Sequence, residues 1–281
     1  MADKPRYASE YKSEQVELVR ATRLYVATKL GDLMDDLVIV GGLVPSLIVD
    51  QSALPEDVDA YVGTMDLDVG LQLALLDEGR YRRLTERLRD AGFTMDKNNE
   101  GNPTRQRWTI TNSGTVTVDF LILPSREDDR AGRLRDIEPD FAAIIAPGLR
   151  CAFRDRQRVT IEGRTLFGEK ARRDVWVCGA GDYVVLKALA FDSRGENRDA
   201  YDLFYIVRNF GAGVEDVVAK LQPLLDDEEA RRALDVLRRD FTDPEGVGPM
   251  RVAEFITGKP DDEIQADVVG FVAEVFRLVR V

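Results

Sequence analysis

The chain has 281 residues, 44% hydrophobic and 32% charged, with a formal net charge of −12; this is a globular balance, long enough for one large domain or two moderate ones. It contains 0 histidines, which excludes Ser-His and Cys-His nucleophile systems, HExxH metalloproteases and any histidine general base, and leaves chemistry to carboxylates, Lys, Arg, Tyr or a bound metal. The acidic balance argues against generic nucleic-acid coating, though not against a local basic patch. No apolar run approaches the roughly 20 residues of a membrane span, and Met1-Ala2-Asp3-Lys4-Pro5 lacks the apolar core of a signal peptide, so a cytoplasmic protein with no membrane partner is expected. Cys151 and Cys178 form neither a zinc spacing nor a CxxC pair and read as reduced thiols.

Residues 11–31 carry apolar side chains at helical spacing and stop at Gly31, a C-cap composition. Leu37 to Val40 is a β-branched strand ending in Gly41-Gly42, with a helix expected over Leu43 to Val49. A second strand runs from Met65 to Leu73, and residues 77–91 form a charged amphipathic helix closed by Gly92. Arg107 to Thr111 and Thr115 to Leu123 read as a hairpin turned by Asn112-Ser113-Gly114. Pro124 to Pro147 reads as a looser stretch, followed by strands at 149–153, 158–163 and 174–178. After Gly181 the pattern becomes helical, at 181–191, 198–210, 214–225, 227–240 and 261–280. The expected organisation is an α/β domain over residues 1–178 and a helical C-terminal domain over 179–281.

Four signals carry chemistry. Gly41-Gly42, between a strand and a helix, lets a phosphate approach the backbone closely, although such a pair also serves as a plain turn. In Thr64-Met65-Asp66-Leu67-Asp68-Val69, residues i and i+2 of a strand share a face, so Asp66 and Asp68 stand roughly 7 Å apart while Leu67 and Val69 enter the core. Two like charges so placed repel unless a cation sits between them, which favours a magnesium site over a polar edge. Asp119, inside the apolar run Val116 to Ile122, is costly to bury alone; beside the Asp66/Asp68 strand it is a third metal ligand or the base for an incoming hydroxyl. Lys187 lies on an otherwise apolar helix, and Asp199 and Asp202 share one face of the next. Spacing alone leaves open a phosphate contact or a structural Lys–Asp pair.

This order of motifs, a glycine pair, DxD, a lone strand Asp, an LK-A helix and R–D-YDL, resembles the AbiEii-type nucleotidyltransferases, the MenT-like toxins of bacterial toxin–antitoxin systems. The resemblance covers roughly residues 37–205. It implies a polymerase-β-like nucleotidyltransferase sheet domain followed by helices. Gly41 and Gly42 match the glycine motif, and Asp66 and Asp68 the acids that hold Mg2+ or Mn2+. Lys187 matches a lysine that holds the triphosphate of an NTP, and Asp199 the acid of the last motif, with Asp202 trailing. Two departures stand out: Gly42 replaces the serine common in the wider superfamily, and residues 55–59 insert before the acids.

The implied reaction moves NMP from an NTP to a hydroxyl and releases pyrophosphate. The resemblance implies tRNA as acceptor and a cognate antitoxin as partner. Arg150, Arg154, Arg156 and Arg158 are candidate phosphate contacts, whereas Arg80, Arg82, Arg83 and Arg87 are interleaved with Glu78 and Glu86 and read more readily as a solvated face. Three rivals remain: a small-molecule nucleotidyltransferase of the aminoglycoside-modifying kind, which suits the acidic charge, a DxD glycosyltransferase, which does not need Asp119, and a non-enzymatic binding module.

Overall fold

The computed structural model describes residues 5–56, 58–71, 78–98 and 100–280. Helix α1 (Ser13–Leu30) ends at Gly31, whose positive φ of 57° closes it with an N–H donated to the Ala27 carbonyl. Strand β1 (Leu37–Val40) follows, fully buried as its β-branched run requires. The helix expected over residues 43–49 is a single turn, α2 (Pro45–Ile48), after a 3-10 turn at Gly41–Leu43. Pro45 starts this turn, and Val49 is already extended, so no long helix N-terminus stands behind the glycines.

Next come β2 (Asp66–Leu71), α3 (Glu78–Asp90), β3 (Thr94–Lys97), β4 (Pro103–Thr111) and β5 (Thr115–Ile122). Residues 72 and 73 of the expected second strand, residue 77 of the expected helix and Asp57 of the 55–59 insertion lie outside the described residues. The stretch read as loose holds two strands, β6 (Leu134–Glu138) and β7 (Phe141–Ile145). Residues 149–153, expected as a strand, belong to helix α4 (Leu149–Arg154). Its buried Leu149, Cys151 and Ala152 fit one helical turn rather than strict alternation. Strands β8 (Arg156–Arg164) and β9 (Lys170–Cys178) form a long hairpin.

Among the described residues nine strands make one mixed sheet, in the order β3-β4-β5-β2-β1-β9-β8, with β7 beside the end of β5 and β6 beside β7. Strand β1 runs antiparallel to β2 and parallel to β9, and β2 runs parallel to β5. Alternation along β2 and β5 buries Leu67, Val69, Val116, Val118 and Phe120 on one face. The opposite face carries Asp66, Asp68 and Asp119. It is covered at Gly70, where an added Cβ would lie 2.7 Å from a Leu149 methyl of α4, and the acids stand beyond that cover.

The helices after the sheet are α5 (Ala180–Arg194), α6 (Asn197–Asn209), α7 (Val214–Leu221), α8 (Glu228–Asp240), α9 (Val247–Thr257) and α10 (Asp262–Leu278). Helix α9 has no counterpart among the expected elements. One hydrophobic cluster runs from Val19 and Val38 through Val185 and Phe204 to Val275, so sheet and helices share a core. No described helix is long and apolar enough to cross a membrane. Cys151 and Cys178 are free and buried.

Candidate active site

The site is built where β1 ends and β2 begins. Val40 pairs with Asp68, Asp68 pairs with Asp119 on β5, Asp66 pairs with Thr117, and Asp119 pairs with Arg107 on β4. Residues in register share a face, so one patch gathers Asp66, Asp68, Thr117, Asp119 and Arg107. Asp66 and Asp68 are half-buried. The Thr117 hydroxyl donates to Asp66 Oδ1 at 2.5 Å.

Gly41 covers one side of this patch. Its φ is +69°, and an added Cβ would fall 2.7 Å from Cγ and 2.8 Å from Cβ of Asp68, so the position excludes a side chain on both counts. Gly42 stands against Thr64, whose Oγ1 would be 2.7 Å from an added Cβ. Gly41 thus puts bare backbone beside Asp68 by close packing, and Gly42 does so beside Thr64.

Asp119 is 4% exposed, and its carboxylate is gripped at both oxygens. Arg107 donates Nε to Oδ1 at 2.7 Å and Nη2 to Oδ2 at 2.6 Å. This bidentate fork is the donor that an acid in an apolar strand requires. The hydrogen bond to Asp119 pushes the Arg107 pKa up, and Asp66 and Asp96 add to it. Among the described residues no three carboxylate or thiol groups converge into a metal-holding cluster as they stand. The three acids share a face, but Asp119 turns to Arg107. Hard oxygen donors beside a Cβ-free backbone still suit magnesium, with Asp66 and Asp68 the residues that would hold it.

Lys187 and the last motif form a buried ionic cluster next to this patch. The Lys187 ammonium lies 2.9 Å from Asp199 Oδ1 and 2.6 Å from Asp202 Oδ2. Arg194 forks onto Asp199 at 2.5 and 2.8 Å, and Arg198 donates to Asp202 at 2.7 Å. Burial alone would raise the Asp199 carboxyl, but Lys187 and Arg194 outweigh it and hold it well below the usual carboxylate range. Burial likewise acts to lower the Lys187 ammonium, and Asp202 and Asp199 reverse this. Two carboxylates therefore already engage the ammonium assigned by resemblance to the triphosphate.

The cluster reaches the acid patch through its arginines. Arg198 donates to the Tyr61 hydroxyl at 2.6 Å and to the Gly63 carbonyl, and the Tyr61 hydroxyl donates to Asp202 at 2.7 Å. Arg198 thereby anchors the segment that leads into β2. The Arg194 side chain is 57% exposed. Burial works against its charge, Asp199 outweighs burial, and Asp68 adds to the upward shift, so the charge of the acid patch is felt at this guanidinium.

Arg107, Thr117, Arg194 and Arg198 were not among the expected site residues. For Arg107 a signal existed: counting outward from the Asn112-Ser113-Gly114 turn pairs residue 107 with 119.

The expected arginine patches separate. Arg80 pairs with Asp36, and Arg87 with Asp32 at 2.6 Å. Both of these partners come from the turn after α1. On α4, Arg154 is tied to Asp226 at 2.8 Å. Arg156 and Arg158 stack on Trp176, at 4.3 and 5.3 Å from the ring centroid. The chain matches no protein-family model and no curated protein.

Proposed function

We propose that the protein is a metal-dependent nucleotidyltransferase that moves NMP from an NTP to a hydroxyl acceptor and releases pyrophosphate. The observation that carries this reading is the meeting of Asp66, Asp68 and Asp119 on one face against the side-chain-free backbone of Gly41. Close backbone approach beside paired carboxylates suits a triphosphate with its divalent ion. The mixed sheet, with two acids on β2 and a third on its parallel neighbour β5, fits a polymerase-β-like arrangement.

A magnesium or manganese ion held by Asp66 and Asp68 supplies Lewis-acid polarisation of the phosphoryl oxygens. In the reaction the acceptor oxygen forms a bond to the α-phosphorus and the α–β bridging P–O bond breaks. The electron pair leaves on pyrophosphate, and the hydroxyl proton passes to a carboxylate. Asp119 is the candidate base, and that duty requires the Arg107 fork to open. Arg194, exposed and feeling the charge of Asp68, is the cation best placed to meet the triphosphate. Lys187 fixes Asp199 and Asp202, and through them Arg194 and Arg198.

We read the acceptor as RNA, with tRNA and a toxin role following from the motif resemblance, and with an antitoxin as expected partner. Arg156 and Arg158 on Trp176 supply charge and an aromatic plane suited to phosphates and bases. The net charge of −12 favours a second reading, a small cationic hydroxylated acceptor. Incubation with each α-labelled NTP and magnesium, offering tRNA or an aminoglycoside, separates the two. Labelled tRNA supports the first reading, labelled aminoglycoside the second, and labelling of neither acceptor with any NTP would remove both.

A further inference from the structure

Asp119 stands in register with Asp68 on one side and Arg107 on the other. Like charges at neighbouring positions on one sheet face repel, and three acids here would hold one another apart without a cation. Arg107 supplies that cation from within the chain. Its guanidinium satisfies both Asp119 oxygens, its side chain is 20% exposed, and Asp66 and Asp96 also act on its charge. The pair is a fork-on-fork contact, closed from the core side by Trp108 and Val118, the fully buried pair that follows in register.

We propose that Arg107 is a built-in counter-cation that withholds Asp119 from the metal group and competes with a divalent ion for it. This rests on the reading of Asp66 and Asp68 as metal ligands and adds regulation to that site. Both Arg107 and the ion are attracted by the same carboxylates, so each weakens the hold of the other. The free divalent ion consequently binds only to Asp66 and Asp68. Asp119 joins when something draws the guanidinium away, and the chemistry able to do so is a polyanion such as the triphosphate. Binding of ion and nucleotide is thereby coupled through one side chain.

The test is Mn2+ binding to the full chain without nucleotide, followed by electron paramagnetic resonance of the free ion. Arg107→Gln removes the competing charge and should bind Mn2+ about tenfold more tightly than wild type. Arg107→Gln/Asp119→Asn removes both charges of the pair and should bind as wild type does, because neither group serves the ion while they are paired. It also spares the protein a buried unpaired acid, so the comparison survives if the single variant does not fold. Unchanged or weaker binding by Arg107→Gln overturns the inference. So does a double variant that binds about tenfold more weakly than wild type, since Asp119 would then already be a ligand. In either case, loss of Mn2+ binding in Asp68→Asn leaves the metal-site reading standing. Binding unaffected by Asp68→Asn, or no binding by any of these proteins, overturns that reading and the inference with it.

Discussion

Gly41 and Asp68 are packed so closely that the space of one Cβ separates the backbone of the first from the carboxylate of the second. An added methyl would sit 2.7 Å from the Asp68 Cγ, and the backbone there has a φ of +69°. The turn after β1 and the acids of β2 are therefore one unit, and a change in either is felt by the other.

Gly41→Ala should lose transfer activity almost completely and destabilise the fold by about 2–4 kcal/mol, from left-handed backbone strain plus overpacking. Gly195 makes an internal control: its φ is +63° with nothing within 4 Å of an added Cβ. Gly195→Ala should cost only about 1–2 kcal/mol and keep activity. Chemical denaturation of the two variants measures the contribution of the Asp68 contact by difference. Equal losses would mean that Asp68 yields freely and the close packing is unimportant.

Lys187→Ala should cost about 3–5 kcal/mol, because it leaves Asp199 and Asp202 buried with less counter-charge. Arg194→Ala should cost less stability and raise the KM for NTP about tenfold, as a phosphate contact does. Thermal melting alongside steady-state kinetics checks both. A Lys187→Ala protein with unchanged melting and weakened NTP binding would return the triphosphate role to the lysine.

Asp182, in the first turn of α5, is 0% exposed, and the donor beside its carboxyl group is the weak Cys178 thiol. Burial raises its pKa well above the ordinary 3.8, the nearby Asp155 raises it further, and the Cys178 thiol offsets only part of this. A raised carboxyl pKa means the native state holds the proton more tightly than the unfolded chain. The stability it contributes is full below the unfolded value and is lost as pH rises through the folded one. Asp182→Asn, which cannot ionise, should gain in melting temperature over wild type as pH climbs from about 4 to about 8. A constant difference across that range would show that Asp182 titrates normally.

If RNA is the acceptor, Arg156 and Arg154 should behave differently although they are two residues apart. Arg156 is held over Trp176, whereas Arg154 is spent on Asp226 in an exposed pair. Arg156→Glu should cut tRNA labelling about tenfold, and more steeply at higher salt, while Arg154→Glu changes it less than about twofold. Labelling insensitive to both would take this patch off the RNA-binding surface.

The sequence was informative wherever periodicity was long or turn chemistry strong. β1, β2 with its paired acids, the β4–β5 hairpin and the helices around Lys187 and Asp199 all lie close to where pattern puts them. It failed at short or polar elements, and at α9, where Gly248 and Pro249 interrupt the apolar pattern. β3 is a four-residue strand with no fully buried side chain, β6 exposes Leu134, and α4 is a single buried turn whose apolar residues mimic alternation. Of the candidate site, the acids, the glycines and Lys187 stood out in the sequence, whereas Arg107, Arg194 and Arg198 did not. Register counted from the hairpin turn places Arg107 opposite Asp119, whereas it is helix packing, which no chain neighbour reveals, that brings Lys187 to two carboxylates. The arginines that matter were hidden among many others of the same type.

Asp66 and Asp68 are proposed to support nucleotidyl transfer with magnesium. This role is tested most directly by measuring pyrophosphate release from the preferred NTP, with acceptor present, for wild type, Asp66→Asn and Asp68→Asn. Far-ultraviolet circular dichroism and melting establish that each is folded. Wild type should release pyrophosphate in a magnesium-dependent reaction, and each folded variant should lose at least about a hundredfold, close to 2.7 kcal/mol. Release by Asp68→Asn at the wild-type rate, with the same magnesium dependence, would contradict this role.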